Sequence, residues 1–296
     1  MKIFDCFTYL DEDLILDLRL NVLNKYVDKF IIVESKYRHN GEVKKQNFDI
    51  NNFKNFKNKI EYIFLDKEPE NLLSIKKSVE KEELNMKALY RDNFQRNNIE
   101  LGLNFAENDD FIIISDIDEI PNLKDINFKN YISSILLFKQ KMFYYKFNLG
   151  LPVLDWFGSK ACQYKNLSSI SELRNIKPKK YNWWRFDTLF KKNKFIDLKV
   201  IDNGGWHFTE IKSAKDIYIK HINDEHHDEF DQTGINEDSI KDMIKNKYIP
   251  YDHSIDQKEW KDKWNKDNRI NLSIIENSKL PKYLVINRSK YLNWFE

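Results

Sequence analysis

Phe111-Ile112-Ile113-Ile114-Ser115-Asp116-Ile117-Asp118-Glu119-Ile120-Pro121 begins as four consecutive apolar residues and passes into an acidic cluster. An unbroken run of aromatic and β-branched residues is the pattern of a central parallel strand buried on both faces. Pro121 has no amide hydrogen to give to a ladder, so the strand cannot run on through it. Asp116, Asp118 and Glu119 therefore follow the carboxyl end of a strand. Open α/β sheets bind their ligands at that end.

Upstream, strand-like and helix-like patterns alternate. Lys2–Thr8, Lys29–Glu34 and Lys59–Leu65 read as strands. Between the first two, Asp11–Asp13 supplies N-cap chemistry, and Leu14, Leu18 and Val22 recur at helical spacing. Leu16, Leu20, Leu23 and Val27 widen that apolar face. Ser78–Phe105 reads as a second helix, with Leu84, Leu89, Phe94, Ile99 and Leu103 facing inward. Strand, helix, strand, helix, strand predicts an α/β fold built on a doubly wound, Rossmann-like sheet. Downstream the pattern loosens. Met142–Phe147 and Asp187–Phe190 read as strands, and Asn203-Gly204-Gly205 as a turn. Beyond Ile211 the chain reads as mainly helical and charged, with Trp260, Trp264 and Trp294 as anchors.

Composition narrows the function. Across 296 residues, 49 Lys and Arg meet 47 Asp and Glu, so no bulk basic surface exists to hold nucleic acid, and no nucleic-acid partner is expected. A hydrophobic fraction of 41%, with 15% aromatic, excludes a disordered chain. No apolar run reaches the length of a membrane span, and Asp5 interrupts any N-terminal signal-like stretch, so a soluble, cytoplasmic protein is expected. Two cysteines, Cys6 and Cys162, are too few for a disulfide framework or a thiolate zinc site. The 33 Asn against 4 Ala fit an AT-rich coding bias, so the many surface Lys and Asn carry no functional reading. Walker, dinucleotide-fingerprint, nucleophile-elbow and kinase motifs are all missing from the sequence.

Asp116-x-Asp118 leads the chemical candidates. Two carboxylates on a loop leaving a strand can hold Mg²⁺ or Mn²⁺ against a diphosphate, because hard cations take oxygen ligands. Spacing alone means little: among 27 Asp, chance supplies about two or three such triplets. Two occur, and the other, Asp11-Glu12-Asp13, opens a helix. Plain turn and capping chemistry is the competing reading. His207, after Gly204-Gly205-Trp206, can offer an imidazole to the same cation or to a phosphate. Arg91 and Arg96, on the helix before the acidic strand, can reach a phosphate or a sugar hydroxyl. Trp156, Trp183 and Trp184 can stack on a sugar face, or simply pack. His221, Glu225, His226, His227 and Asp228 lack zinc-site spacing and read as a charged helix face.

Together these segments resemble glycosyltransferase family 17. The likeness rests on Ile3–Thr8, the Glu12–Leu23 helix, Val27–Ser35 and His39-x-Gly41. It continues through Arg91–Asn97, Gly102-Leu103, Ser115–Pro121 and Gly205–Phe208, in order over roughly residues 1–210. The resemblance implies a GT-A fold with a mixed sheet, a UDP-GlcNAc donor, Mn²⁺ or Mg²⁺, a glycan acceptor and inversion at the anomeric carbon. It covers a catalytic domain over 1–210, to which the residue pattern adds a mainly helical C-terminal extension over 211–296. Asp116, Asp118 and His207 are then the expected metal residues. Phe7, Thr8, Glu34, Arg91, Arg96, Ser115, Asp116 and Glu119 are expected on the donor side, and Trp156, Trp183 and Trp184 on the acceptor side. Asp155, Asp187 and Glu210 lie among aromatics after the acidic block and are the candidate bases. A sugar nucleotidyltransferase, or a carbohydrate-binding protein without turnover, are the alternatives on such a sheet.

Overall fold

The computed structural model describes residues 1–77, 79–178, 197–223, 230, 233–251, 253 and 269–296. Its first half matches the expected alternation: β1 (Ile3–Tyr9), α1 (Asp13–Leu23), β2 (Lys29–Ser35), β3 (Ile60–Leu65), α2 (Glu80–Asn97) and β4 (Phe111–Ile114). The second half adds β5 (Glu119–Pro121), β6 (Ser134–Tyr144), β7 (Leu149–Trp156), β8 (Lys160–Gln163), α3 (Ile170–Asn175), β9 (Asp197–Thr209) and α4 (Ala214–Asn223). Short strands β10 (Tyr248–Ile249), β11 (Ile270–Asn271) and β12 (Ser273–Ile274) follow, with helices at Glu237–Asn246 and Lys282–Ile286.

Strands β3, β2, β1 and β4 lie side by side and parallel, in Rossmann-like order. Strand β8 adds antiparallel to β4, then β6, β7 and β12 follow, and β9 beside β6 with β5 beside β9 complete a mixed ten-stranded sheet. The protein is a mixed α/β fold. Successive residues of the parallel strands feed opposite cores, as the two-residue strand period requires. Phe7, Phe30, Ile32, Phe111 and Ile113 pack toward α1. Phe4, Cys6, Ile31, Val33, Ile112 and Ile114 pack toward Ile99, Leu103 and α3. Fully burying each such side chain contributes about 1.5–3 kcal/mol. The C-terminal Leu280, Leu284 and Tyr291 join the first of these cores. Helix α4 and Glu237–Asn246 pack through Ile217, Ile240 and Met243 on a third cluster over β6 and β7.

Beyond Ile211 the described residues are mainly helical, and β12 adds an edge to the main sheet against β7. One sequence expectation needs correction here. Asn203-Gly204-Gly205 is no turn. It is a bulge inside β9, where pairing with β6 shifts register between Phe138 and Gln140. The glycines are needed because β9 is squeezed between two backbones. A Cβ on Gly204 would sit 2.6 Å from the Lys139 nitrogen, and one on Gly205 would sit 2.1 Å from the Ile120 oxygen. Gly205 also has φ +137°, a left-handed value that side chains resist. The bulge sets β9 antiparallel to β5, pairing Glu119 with His207 and Pro121 with Gly205. Gly205→Ala is accordingly expected to destabilise the fold by at least about 1–3 kcal/mol, read as a lowered denaturant midpoint.

Asp187–Phe190, Trp260 and Trp264 lie outside the described residues. Among the described residues, no helix is long and apolar enough to cross a membrane.

Candidate active site

The acidic turn after β4 is held from beneath by one buried cation. Arg19, on α1, is fully buried with its guanidinium 4.4 Å from the centre of the Phe7 ring. It donates twice to Asp5, at 2.8 and 2.6 Å, and once to Ser115 Oγ at 2.5 Å. Its Nη1 donates to the carbonyls of Asp116, Ile117 and Glu119 at 2.9, 3.0 and 3.0 Å. A planar five-donor fork suits this task, because one rigid group satisfies both a carboxylate and a tight run of backbone oxygens.

Above the turn, Asp116 is shared by two arginines. Arg96 Nη1 donates to Oδ1 and Arg174 Nη2 to Oδ2, both at 2.6 Å. Burial alone pushes the Asp116 carboxyl up, but the Arg174 and Arg96 guanidiniums hold it well below the usual carboxylate range. Arg96 also grips Asp92 at 2.8 Å, and Arg174 reaches Glu119 at 3.0 Å. The result is a charge-alternating ladder, Asp92–Arg96–Asp116–Arg174–Glu119. Its far end is buried. Glu119 accepts from Trp156 Nε1 at 2.6 Å and from the Asp116 amide at 2.9 Å. Gly158 makes room for it, since a Cβ there would lie 2.1 Å from the Glu119 carboxyl carbon.

Asp118 faces the other way. The β5–β9 pairing brings His207 beside it, with Nε2 3.5 Å from Oδ2. Burial opposes charge on both groups. Each nevertheless favours the other's ionised form, so Asp118 is lowered and His207 raised. His207 Nδ1 is buried with no hydrogen-bond partner, and the ring lies 5.1 Å from that of Trp156.

Do these groups fit a divalent cation? Among the described residues, no three His, Cys, Asp or Glu side chains are grouped to hold one. Asp118 and His207 supply an oxygen and a nitrogen at a separation that two neighbouring ligands of one ion can adopt, through the Nε2 that faces Asp118 rather than the unpartnered Nδ1. The pair fits a cation whose remaining ligands come from a phosphate and water. Asp116 does not join them while two guanidiniums occupy its oxygens.

The turn opens into a cavity of about 720 Å³ at the carboxyl ends of β1, β2 and β4. Thr8, Tyr9, Ser35, Tyr37, Arg38, Arg96, Asp116, Asp118, Trp156, Glu210, Lys220 and Trp294 are among the residues that line it. Eight carboxylates and five Lys or Arg line it, leaving three excess negative charges with the histidines neutral. Glu210 ends β9 in the left-handed region at φ 56° and meets His221 Nε2 at 2.7 Å. Burial raises its carboxyl, but His221 and then Lys220 bring it below the usual value.

Several donor-side expectations change in this geometry. Phe7 is core, and Ser115 is fully engaged beneath the turn by Arg19. Glu34 is buried and accepts from Lys44 Nζ, the amides of Asn47 and Phe48 at 2.8 and 3.0 Å, and Tyr62 at 2.8 Å. It anchors the segment after β2 from inside. Arg91 turns from the cavity to Glu68. Asp155 is half exposed, pairs with Lys139 at 2.7 Å and does not line the cavity. Trp183, Trp184 and Asp187, and the Glu225–Asp228 cluster, lie outside the described residues. Arg19 and Arg174, which hold the turn, were not among the sequence candidates.

The carboxyl end of a Rossmann-like sheet thus carries an arginine-held acidic turn that opens into a charged cavity. The glycosyltransferase family 17 model matches residues 1–294, beyond the 1–210 of the sequence resemblance, and the chain belongs to that family. It is a glycosyltransferase, acting between a sugar donor and an acceptor. No curated protein matches it.

Proposed function

We propose that the protein is a GT-A-type, metal-dependent, inverting glycosyltransferase that moves N-acetylglucosamine from UDP-GlcNAc to a hydroxyl of a sugar acceptor. The observation that carries this reading is the Asp118–His207 pair opening into a cavity with three excess negative charges. A diphosphate entering such a cavity meets repulsion unless cations accompany it. A donor that arrives with Mn²⁺ or Mg²⁺ removes that conflict.

Asp118 and His207 would hold the ion, which supplies Lewis-acid stabilisation to the departing diphosphate. Arg96, facing the same space from α2, adds a fixed positive charge where negative charge develops. Trp156 lines the cavity beside His207, an aromatic ring of the kind that packs on a sugar's apolar C–H face. Of the three candidate bases, Glu210 is the described one that lines the cavity. It is ionised at neutral pH, as a base must be, while its pairing with His221 lowers its affinity for a proton. The acceptor oxygen bonds to the sugar C1 as its proton passes to Glu210. The bond from C1 to the diphosphate oxygen breaks, and its electron pair leaves with UDP.

Calorimetric titration with UDP-GlcNAc, with and without Mn²⁺, tests the reading, with UDP-Gal, UDP-Glc and GDP-Man run alongside. Metal-dependent binding of UDP-GlcNAc alone is expected. Preference for another nucleotide sugar overturns the donor, and absence of any metal-dependent binding overturns the mechanism. Glu210→Gln is expected to lower UDP release by about 10²–10⁴-fold while leaving UDP–Mn²⁺ affinity within twofold. Unchanged turnover would remove Glu210 as the base.

A further inference from the structure

His221 sits in a run of charged residues, yet its side chain turns inward. It falls four residues after Ile217 on α4, and residues at that spacing share a helix face. Ile217 is buried and packs with Phe230 in the core over β6 and β7. The His221 ring stacks on Phe230, with centres 4.6 Å apart and planes 12° from parallel. From that seat its Nε2 meets Glu210 Oε1 at 2.7 Å. A flat stack fixes where the ring lies, so it also fixes the direction from which Nε2 reaches the carboxylate.

Glu210 is constrained from its own side as well. It leaves β9 in the left-handed region at φ 56°, uncommon for a residue with a Cβ, and its carbonyl accepts from the Lys212 amide at 2.7 Å. Strained backbone of this kind persists where the surroundings over-determine it, and it gathers at functional sites. Glu210 lines the cavity, whereas His221 stands behind it.

We infer that His221 is a positioning residue, which holds the Glu210 carboxylate in the orientation that takes the acceptor's proton. This rests on the base assignment above and adds what aims the base. His221 bonds Oε1, so the proton of the acceptor hydroxyl goes to Oε2, and His221 itself touches no substrate. Charge alone points the other way. Burial raises the Glu210 carboxyl, but His221, and after it Lys220 and His253, lower its affinity for a proton. A purely electrostatic role would therefore make proton transfer easier once His221 is gone. Positioning makes it slower.

The test follows UDP release from UDP-GlcNAc and Mn²⁺ on the full chain, with methyl glucoside, methyl galactoside and methyl mannoside offered together as acceptors. His221→Phe keeps a ring on Phe230 and loses the bond to Glu210. It is expected to lower kcat by about ten- to a hundredfold, the scale of lost orientation, with KM for UDP-GlcNAc and affinity for UDP–Mn²⁺ within twofold. His221→Gln, whose amide nitrogen can stand where Nε2 stands, is expected to recover most of the lost kcat. Glu210→Gln combined with His221→Phe is expected to be no slower than Glu210→Gln alone, because groups that act as a unit do not add. A kcat at or above wild type in His221→Phe overturns the inference and leaves Glu210 as the base. So does a double variant slower than Glu210→Gln by the full His221→Phe factor, or a His221→Gln variant as slow as His221→Phe. Loss of UDP–Mn²⁺ affinity in both His221 variants makes the contact a structural clamp and overturns it too. Wild-type protein that releases no UDP with these acceptors, or wild-type turnover in Glu210→Gln, removes the base reading and this assignment together.

Discussion

Asp118→Ala is expected to abolish the dependence of UDP binding on Mn²⁺ and to lower turnover by at least about 10²–10³-fold, the usual cost of removing one electrostatic stabiliser of a leaving group. The two acids of Asp116-x-Asp118 do different work, so the two variants should behave differently. Asp118 meets His207 at 3.5 Å and, among the described residues, has no guanidinium on it, whereas Asp116 gives both oxygens to Arg96 and Arg174. Removing Asp118 takes away a ligand-capable oxygen and leaves the ladder standing. Asp116→Asn instead weakens the ladder, freeing positive charge at Arg96 and Arg174 next to where the proposed diphosphate would lie. Its UDP binding should still respond to Mn²⁺, with reduced turnover from a loosened turn. His207→Ala should follow Asp118→Ala in direction. Parallel titrations of UDP with and without Mn²⁺ in the three variants decide the matter. If Asp118→Ala responds to Mn²⁺ as the wild type does, the ion is not held there. If Asp116→Asn loses the response as completely as Asp118→Ala, the division between the two acids is wrong.

How far the sequence carries depends on which physical signal each residue bears. Phe111–Ile114, Lys29–Glu34 and Lys59–Leu65 are dense runs of β-branched and aromatic residues, and the structure has strands there to within a residue. The end of the sheet where the cavity opens was legible for the same reason: Pro121 and the acidic cluster follow β4 directly. Which side a strand-end residue faces was not. Glu34 and Ser35 are consecutive, but Ser35 lines the cavity while Glu34 is fully buried under Lys44 and Tyr62. Phe7 and Thr8 divide in the same way. A one-residue register fixes that choice, and register comes from long-range pairing. Gly204-Gly205 looked like a turn because the pressure on it comes from Lys139 and Ile120, both distant in sequence. Arg174 had no local signal either, sitting on a one-turn-scale helix whose partners are Asp116, Glu119 and Gly158. Arg19 was readable in principle. It falls three residues after Leu16 and four before Leu23, on the buried stripe of α1, where a charged residue requires a partner.

Arg19→Met is expected to lower stability by about 3–5 kcal/mol, the cost of stranding one partner of a buried ion pair. A loss of that size should move the melting temperature by roughly ten degrees. Asp5 is as fully buried as Arg19, so removing the guanidinium leaves a carboxylate with neither solvent nor counter-charge. Three turn carbonyls and Ser115 Oγ lose their donor at the same time. Methionine fills similar volume and keeps an apolar stem against Phe7, so the loss cannot be assigned to a cavity. A second replacement separates the two jobs of Arg19. Asp5→Leu in the Arg19→Met background removes the stranded charge, and replacing a buried pair by apolar residues is often neutral. The double variant should therefore recover much of the stability. It should not recover Mn²⁺-dependent UDP binding, because the carbonyls of Asp116, Ile117 and Glu119 still lack the donor that shapes the turn. Chemical denaturation of both variants, with UDP titration beside it, reads the two effects separately. A single variant that loses less than about 1 kcal/mol, within the range of an ordinary substitution, would show that Arg19 does not hold the turn. Full recovery of UDP binding in the double variant would show that the turn keeps its shape without it.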